Sequence, residues 1–165
     1  MDIYLMQHGQ AFSEEADLER SLTPEGESQI VASARALKRI GVSLDLIVSS
    51  PKKRARQTAE IVAQRLGYPA DEIKVTETLQ PKAPSSDVIA FLKAYEDKKQ
   101  ILLAGHLPSL GEIASDLLCE DSKVAIQFYM GGVCRIDVDL LQAGSGTLKW
   151  ILAPEHLRFV ATSSK

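Results

Sequence analysis

The stretch Leu46-Ile47-Val48-Ser49-Ser50-Pro51-Lys52-Lys53-Arg54-Ala55-Arg56-Gln57-Thr58-Ala59 changes character twice. Leu46 to Val48 is a short apolar run that suits a buried strand, and Ser49-Ser50-Pro51 is its exit into a loop. From the basic segment onward, Ala55, Ala59, Val62 and Leu66 fall on one face of a helix that Gly67 and Pro69 close. A strand, a loop and a helix in that order make one β-α unit. The same arrangement recurs on either side of it. Ile3 to Met6 is an apolar run ending in Gln7-His8-Gly9, and Ile101 to Ala104 is another, ending in Gly105-His106.

The intervening segments supply the helices. Thr23 reads as an N-cap with Pro24 at the first helical position, in spite of the helix-weakening Gly26, and Ile30, Val31, Ala34, Leu37 and Ile40 keep helical spacing up to Gly41. Ile73 to Thr76 is a candidate third strand. Val88, Phe91, Leu92 and Tyr95 mark a helix starting near Ser85 or Ser86, and a further helix runs from about Leu110 to Leu118. Val133 to Val138 and Thr147 to Leu152 flank Gly144-Ser145-Gly146 as a hairpin, and Ala161 to Lys165 read as a loose tail. Strands alternating with helices predict an α/β fold, a three-layer α/β/α sandwich with a mostly parallel central sheet. At 165 residues, one domain spanning residues 1–165 is expected.

Composition narrows the partners. With 45% hydrophobic and 25% charged residues the chain has ordinary globular content, and a net charge of -3 gives no overall attraction to nucleic acid or an anionic membrane. The basic run Pro51 to Arg56 is short and lacks interleaved aromatics, so nucleic acid is not expected as a partner. Cys119 and Cys134 lie in apolar runs without a CxxC spacing. They are expected to be buried free thiols, which suits a cytoplasmic setting. No export signal or membrane span is read, and the absence of heptads leaves a monomer as the expectation.

In open α/β sheets, ligands bind beyond the carboxyl ends of the strands. Two of the three histidines, His8 and His106, fall at such ends, with Arg54 just beyond a third. Either histidine alone has a plainer reading as a satisfied structural residue. Together with arginine they suit phosphoryl chemistry: guanidinium is a planar fork of donors for phosphate oxygens, and a neutral imidazole can attack phosphorus. HExxH and clustered metal ligands are missing, as is GxxxxGK[ST], so neither a metal site nor a P-loop is expected. Isolated glycines such as Gly9 let the backbone turn beside a ligand. His156 has no motif around it and reads as structural or exposed.

With these residues in view, the chain resembles the histidine phosphatase superfamily, with its phosphoglycerate mutase-like fold, and within it the small SixA-type phosphohistidine phosphatases. The resemblance is carried by Met6-Gln7-His8-Gly9, where the family has Arg-His-Gly, and by Leu22-Thr23-Pro24-Glu25-Gly26. The run from Ser49 to Ala59 carries it too, matching Ser-Pro-x-x-Arg-Ala-x-Gln-Thr, as do Gly105-His106-Leu107-Pro108 and the closing Trp150 to Pro154. It implies His8 as nucleophile, Arg54 and His106 as holders of the phosphoryl oxygens, and Gln7, Gly9, Arg20 and Ser50 as phosphate or substrate contacts, without cofactor or metal. Arg20 has an equal claim as a solvated loop residue.

Gln7 departs from the pattern, since an amide can donate to a phosphate oxygen but supplies neither charge nor a bidentate fork. The deficit is on the order of tenfold per bond. Lys52, Lys53, Arg56 and Arg20 are the nearby cations that would compensate. About two dozen residues separate Thr76 from Ile101, too few for the large helical insertion of bigger relatives, so the site is expected to be open. Glu77 and Asp87 are the nearest candidates for a general acid, though capping or solvation explains either. The implied activity is removal of phosphate from a histidine-phosphorylated protein. A weak or inactive phosphate-binding relative and a small-molecule phosphatase are the alternatives.

Overall fold

The computed structural model describes residues 1–163. In chain order it runs β1 (Asp2–Gln7), α1 (Pro24–Arg39), β2 (Leu46–Ser49), α2 (Lys53–Leu66), β3 (Lys74–Val75), α3 (Ser85–Leu92), β4 (Gln100–Gly105), α4 (Ser109–Leu118), β5 (Val133–Val138), β6 (Gly146–Leu152) and α5 (Pro154–Thr162). The six strands form one sheet in the order β3-β2-β4-β1-β5-β6. The β3, β2, β4 and β1 strands are mutually parallel, and β5 and β6 complete the sheet in antiparallel pairing.

Alternation along the central strands explains the layers. Ile3, Leu5, Leu46, Val48, Ile101 and Leu103 point to one face, where α3 contributes Val88 and Leu92 and α4 contributes Ile113 and Leu117. Tyr4, Met6, Ile47 and Leu102 point to the other, meeting Ile30 and Leu37 of α1, Ala59 and Val62 of α2 and Leu157 of α5. Strands buried on both faces have no polar face to display, hence the unbroken apolar runs in the sequence.

The structure corrects three expectations at the margins. The third strand shrinks to the pair Lys74–Val75, both exposed at the sheet edge. Ala161 and Thr162 are not tail but the last turn of α5, a helix that packs on α1; Ser164 and Lys165 lie outside the described residues. Cys134 is a buried core thiol whose pKa burial pushes up to about 12, but Cys119 is only half-buried beyond the end of α4. Both cysteines are free.

Gly26, which looked like a weakness in α1, has a steric reason. Thr23 caps the helix by accepting the Gly26 N–H at 3.0 Å, and the Gln10 carbonyl oxygen occupies the space where a Gly26 Cβ would stand. The loop after β1 is thus pressed against the first turn of α1. Gly26→Ala is expected to lower the unfolding free energy by about 2 kcal/mol or more, overriding the roughly 1 kcal/mol that alanine gains in helix propensity. Urea unfolding checks this, and a stabilised variant would show that the loop yields without cost.

Candidate active site

Strand register brings the chemistry together. Gln7 lies opposite Gly105 and Ser49 opposite Ala104, so β1, β4 and β2 end side by side. The ladder continues one residue past two of the strands: the His8 N–H donates to the Gly105 carbonyl at 3.1 Å, and the Ser50 N–H to that of Ala104 at 3.0 Å. The next residue along β4 is His106. Its ring centroid is 5.0 Å from that of His8.

The His8 ring is held at both nitrogens. Nδ1 lies 2.7 Å from the Gly9 carbonyl oxygen, an acceptor, so Nδ1 carries the proton and donates it. That leaves the lone pair on Nε2, where the Arg54 Nε–H donates at 3.0 Å. Arg54 reaches it from the first turn of α2, and each of the two residues retains 9% exposure. Gly9 contributes through this carbonyl and through its lack of a side chain, since a Cβ there would stand 2.9 Å from both the Gly26 oxygen and Ile30 Cγ1.

The sequence pattern gave no role to Thr58, which links the two. Its Oγ1 accepts the Gly9 N–H at 3.2 Å and donates to the Arg54 carbonyl at 2.8 Å, tying the loop after β1 to α2. The available signal was its place one helical turn after Arg54, inside the longest motif. Gln57 makes a similar tie, its Oε1 accepting the Leu22 N–H at 2.8 Å.

The other candidates take different positions. Ser50 is fully buried, with its Oγ 2.9 Å from His106 Nε2. Gln7 is half-buried, and its Oε1 is buried without a partner among the described residues. Arg20 is exposed on the loop before α1, in left-handed backbone (φ 53°), with its Nε–H donating to the Phe12 carbonyl at 3.3 Å. Its charge still reaches His8, Arg54 and His106. Glu77 and Asp87 are both exposed: Glu77 bonds the Gln80 side chain, and Asp87 lies in the first turn of α3. His156 is exposed on α5.

Burial and neighbouring positive charge keep both imidazoles neutral. His8 is lowered to about 4, chiefly by burial, with Arg54 and Arg20 adding to the effect and the Gly9 bond opposing it. His106 is lowered to about 3 by burial, then by His8 and by nearby cations, Arg54 first among them. Since unfolded histidine titrates near 6.5, the unfolded chain binds more protons as the pH falls below that value. The stability these neutral rings contribute is therefore complete above about 6.5 and is lost progressively as the pH drops towards 4 for His8 and 3 for His106. A proton NMR titration is expected to place the His8 ring midpoint near 4. A midpoint at or above 6 would contradict the dominance of burial.

The model of the histidine phosphatase superfamily (branch 1) matches residues 3–80, a span holding His8 and Arg54. The phosphohistidine phosphatase SixA of Escherichia coli (strain K12) is 29% identical over 161 residues, 96% of this chain and 97% of that protein. The SixA homolog of Haemophilus influenzae is 30% identical over 145 residues, 82% of this chain and 87% of its own length. The chain belongs to the histidine phosphatase superfamily. It is a phosphatase with the phosphoglycerate mutase-like fold of that superfamily. The solved structure of the protein histidine phosphatase SixA complexed with tungstate superposes with a TM-score of 0.84 at 29% identity, covering 95% of this chain and 99% of that one. Within this histidine phosphatase no described helix is long and apolar enough to cross a membrane.

Proposed function

We propose that this protein hydrolyses phosphohistidine on a protein substrate through a phospho-His8 intermediate. The observation that carries the reading is the pairing at His8: Nδ1–H is committed to the Gly9 carbonyl, and the Nε2 lone pair meets the Arg54 guanidinium. In the first step Nε2 attacks phosphorus and the P–N bond to the substrate histidine breaks. Its electron pair returns to the departing imidazole, which takes up a proton from solvent. Arg54 moves its donors from Nε2 to the phosphoryl oxygens, with His106 and the Gln7 amide beside it. Water then attacks the phospho-His8 phosphorus, the P–Nε2 bond breaks with its electron pair returning to Nε2, and phosphate leaves carrying one proton of the water while the other passes to solvent.

Support for a protein-borne substrate comes from what surrounds the site. Within residues 76–99 the α-helix, α3, packs against α4 and buries Val88 and Leu92 in the core, so that helix is not a lid. The rim offers exposed Arg20 and Leu107, and the loop carrying exposed Tyr129 and Met130 is tied to the end of β1 by the Gly131 N–H, which donates to the Gln7 carbonyl at 3.0 Å. Imidazole is also a better leaving group than an alkoxide, which suits a site without an evident general acid.

The test compares phosphate release from a phosphohistidine-bearing protein with release from sugar and aryl monophosphates. A clear kcat/KM preference for the protein is expected. Equal or faster turnover of the small esters would favour a small-molecule phosphatase. A second reading, a phosphate-binding relative with little turnover, is motivated by Gln7 and its unpartnered oxygen. It predicts phosphate binding without release of phosphate from any of these substrates.

A further inference from the structure

We infer that Ser50 is a positioning residue that fixes the tautomer of His106, so that His106 presents Nδ1–H as a neutral hydrogen-bond donor to the phosphoryl group. The catalytic consequence rests on the proposed function, whereas the tautomer itself is a property of the unliganded protein.

One buried hydroxyl decides where the protons lie. Ser50 has no exposed surface, and its Oγ accepts the Lys52 N–H at 3.4 Å. Its backbone is already committed, the N–H to the Ala104 carbonyl at 3.0 Å and the carbonyl to the Ser49 hydroxyl at 2.9 Å. The acceptor left for the hydroxyl proton among the described residues is His106 Nε2 at 2.9 Å. Donation from Ser50 makes Nε2 the unprotonated nitrogen and puts the ring proton on Nδ1.

His106 Nδ1 is buried and has no partner among the described residues. The two tautomers thus differ in what they leave unsatisfied. With the proton on Nε2, the buried Nδ1 keeps an unpaired lone pair, which would repel an anion brought to it, and the Ser50 hydroxyl proton is stranded as well. With the proton on Nδ1, the unsatisfied group is a donor, and an arriving phosphoryl oxygen satisfies it. A buried donor without an acceptor is destabilising, so an anion that completes the bond relieves that penalty on binding. The assignment also fits His8, whose neighbouring ring carries its own proton on Nδ1. Both rings are neutral under physiological conditions, so the tautomer, not the charge, decides what each nitrogen can do.

The sequence alone could not separate this role from direct contact. Ser50 stands in the loop motif where a phosphate ligand is expected, and a strand-end serine commonly turns its hydroxyl to the ligand. Here that hydroxyl is turned to the second histidine.

Long-range proton–nitrogen-15 correlation spectra of the wild-type protein at pH 7 test the inference without any substitution. The expected result is a His106 pattern with pyrrole-type Nδ1 and pyridine-type Nε2; the reverse pattern overturns it. In Ser50→Ala the His106 signals are expected to shift towards the Nε2–H tautomer or a mixture. Affinity for inorganic phosphate and kcat are each expected to fall by about tenfold, the scale of one hydrogen bond. Ser50→Thr, which keeps the hydroxyl, is expected to retain the wild-type tautomer. An unchanged His106 spectrum in folded Ser50→Ala overturns the inference. If the proposed phosphohistidine activity fails while the tautomer and phosphate-binding results hold, the fault lies with the substrate reading and not with Ser50.

Discussion

Replacing His8 by alanine is expected to abolish phosphate release and the acid-labile phosphoenzyme together, a loss of at least about 10³-fold in kcat. A covalent route has no substitute at this position. His106 is the other imidazole within the cluster, but its Nε2 is engaged by Ser50 and the residue is 2% exposed. Binding is a different matter. In His8→Ala the Arg54 Nε–H loses the acceptor it has at 3.0 Å, so the guanidinium is freed for an anion, and affinity for inorganic phosphate is expected to persist. The measurement is single-turnover labelling with a radiolabelled phosphohistidine protein, followed by peptide mapping. Label on wild-type His8 that vanishes in His8→Ala, with phosphate binding intact, separates loss of the nucleophile from loss of the fold. Turnover that survives in His8→Ala would sink the phospho-His8 route.

The parts of this fold that were legible in the sequence are those where burial is two-sided. Ile3 to Met6, Leu46 to Val48 and Ile101 to Ala104 are unbroken apolar runs because each side chain meets a helix layer on one face or the other. Punctuation was equally readable where it does one job, as at Gly67, whose left-handed φ of 79° ends α2. The α5 helix was missed although Leu157, Val160 and Ala161 have helical spacing: it has no side-chain cap and one fully buried residue, and it forms by leaning on α1. The two-residue β3 carried no alternation to read. It pairs with β2 at Val48 and Ser49.

At the site, residue types at strand ends pointed to His8, Arg54 and His106, but hydrogen-bond partners could not be read from them. Gly9 and Ser50 both stood in motifs as prospective phosphate contacts. The geometry has Gly9 orienting His8 through a carbonyl and Ser50 bonded to His106, relations across 56 residues in the second case that no local pattern encodes. Thr58 went unread for the same reason. Its two bonds join a loop to a helix start, and either partner alone looks ordinary.

Arg54→Ala is expected to lower kcat/KM by about 10² to 10³, the usual loss when a preorganised donor to a developing anion is removed. Gln7 is what makes the dependence so steep. A neutral amide stands where the superfamily pattern has arginine, Arg20 is exposed with its Nε–H spent on the Phe12 carbonyl, and both histidines are uncharged, so Arg54 is the buried cation of the cluster. Arg54→Lys restores charge without the planar fork and is expected to recover a minor part of the rate. Gln7→Arg in the wild-type background is expected to raise kcat/KM by about tenfold, and to soften the Arg54→Ala loss when the two are combined, because a second guanidinium then shares the same phosphoryl charge. Equal losses from Arg54→Ala in the wild-type and Gln7→Arg backgrounds would mean that the two positions act on different oxygens without sharing load. Measurable turnover appearing only in Gln7→Arg carries a different meaning, since the natural glutamine would then be holding phosphate in a site too weakly charged to break its bond, and the chain would be a phosphate-binding relative rather than a working phosphohistidine hydrolase.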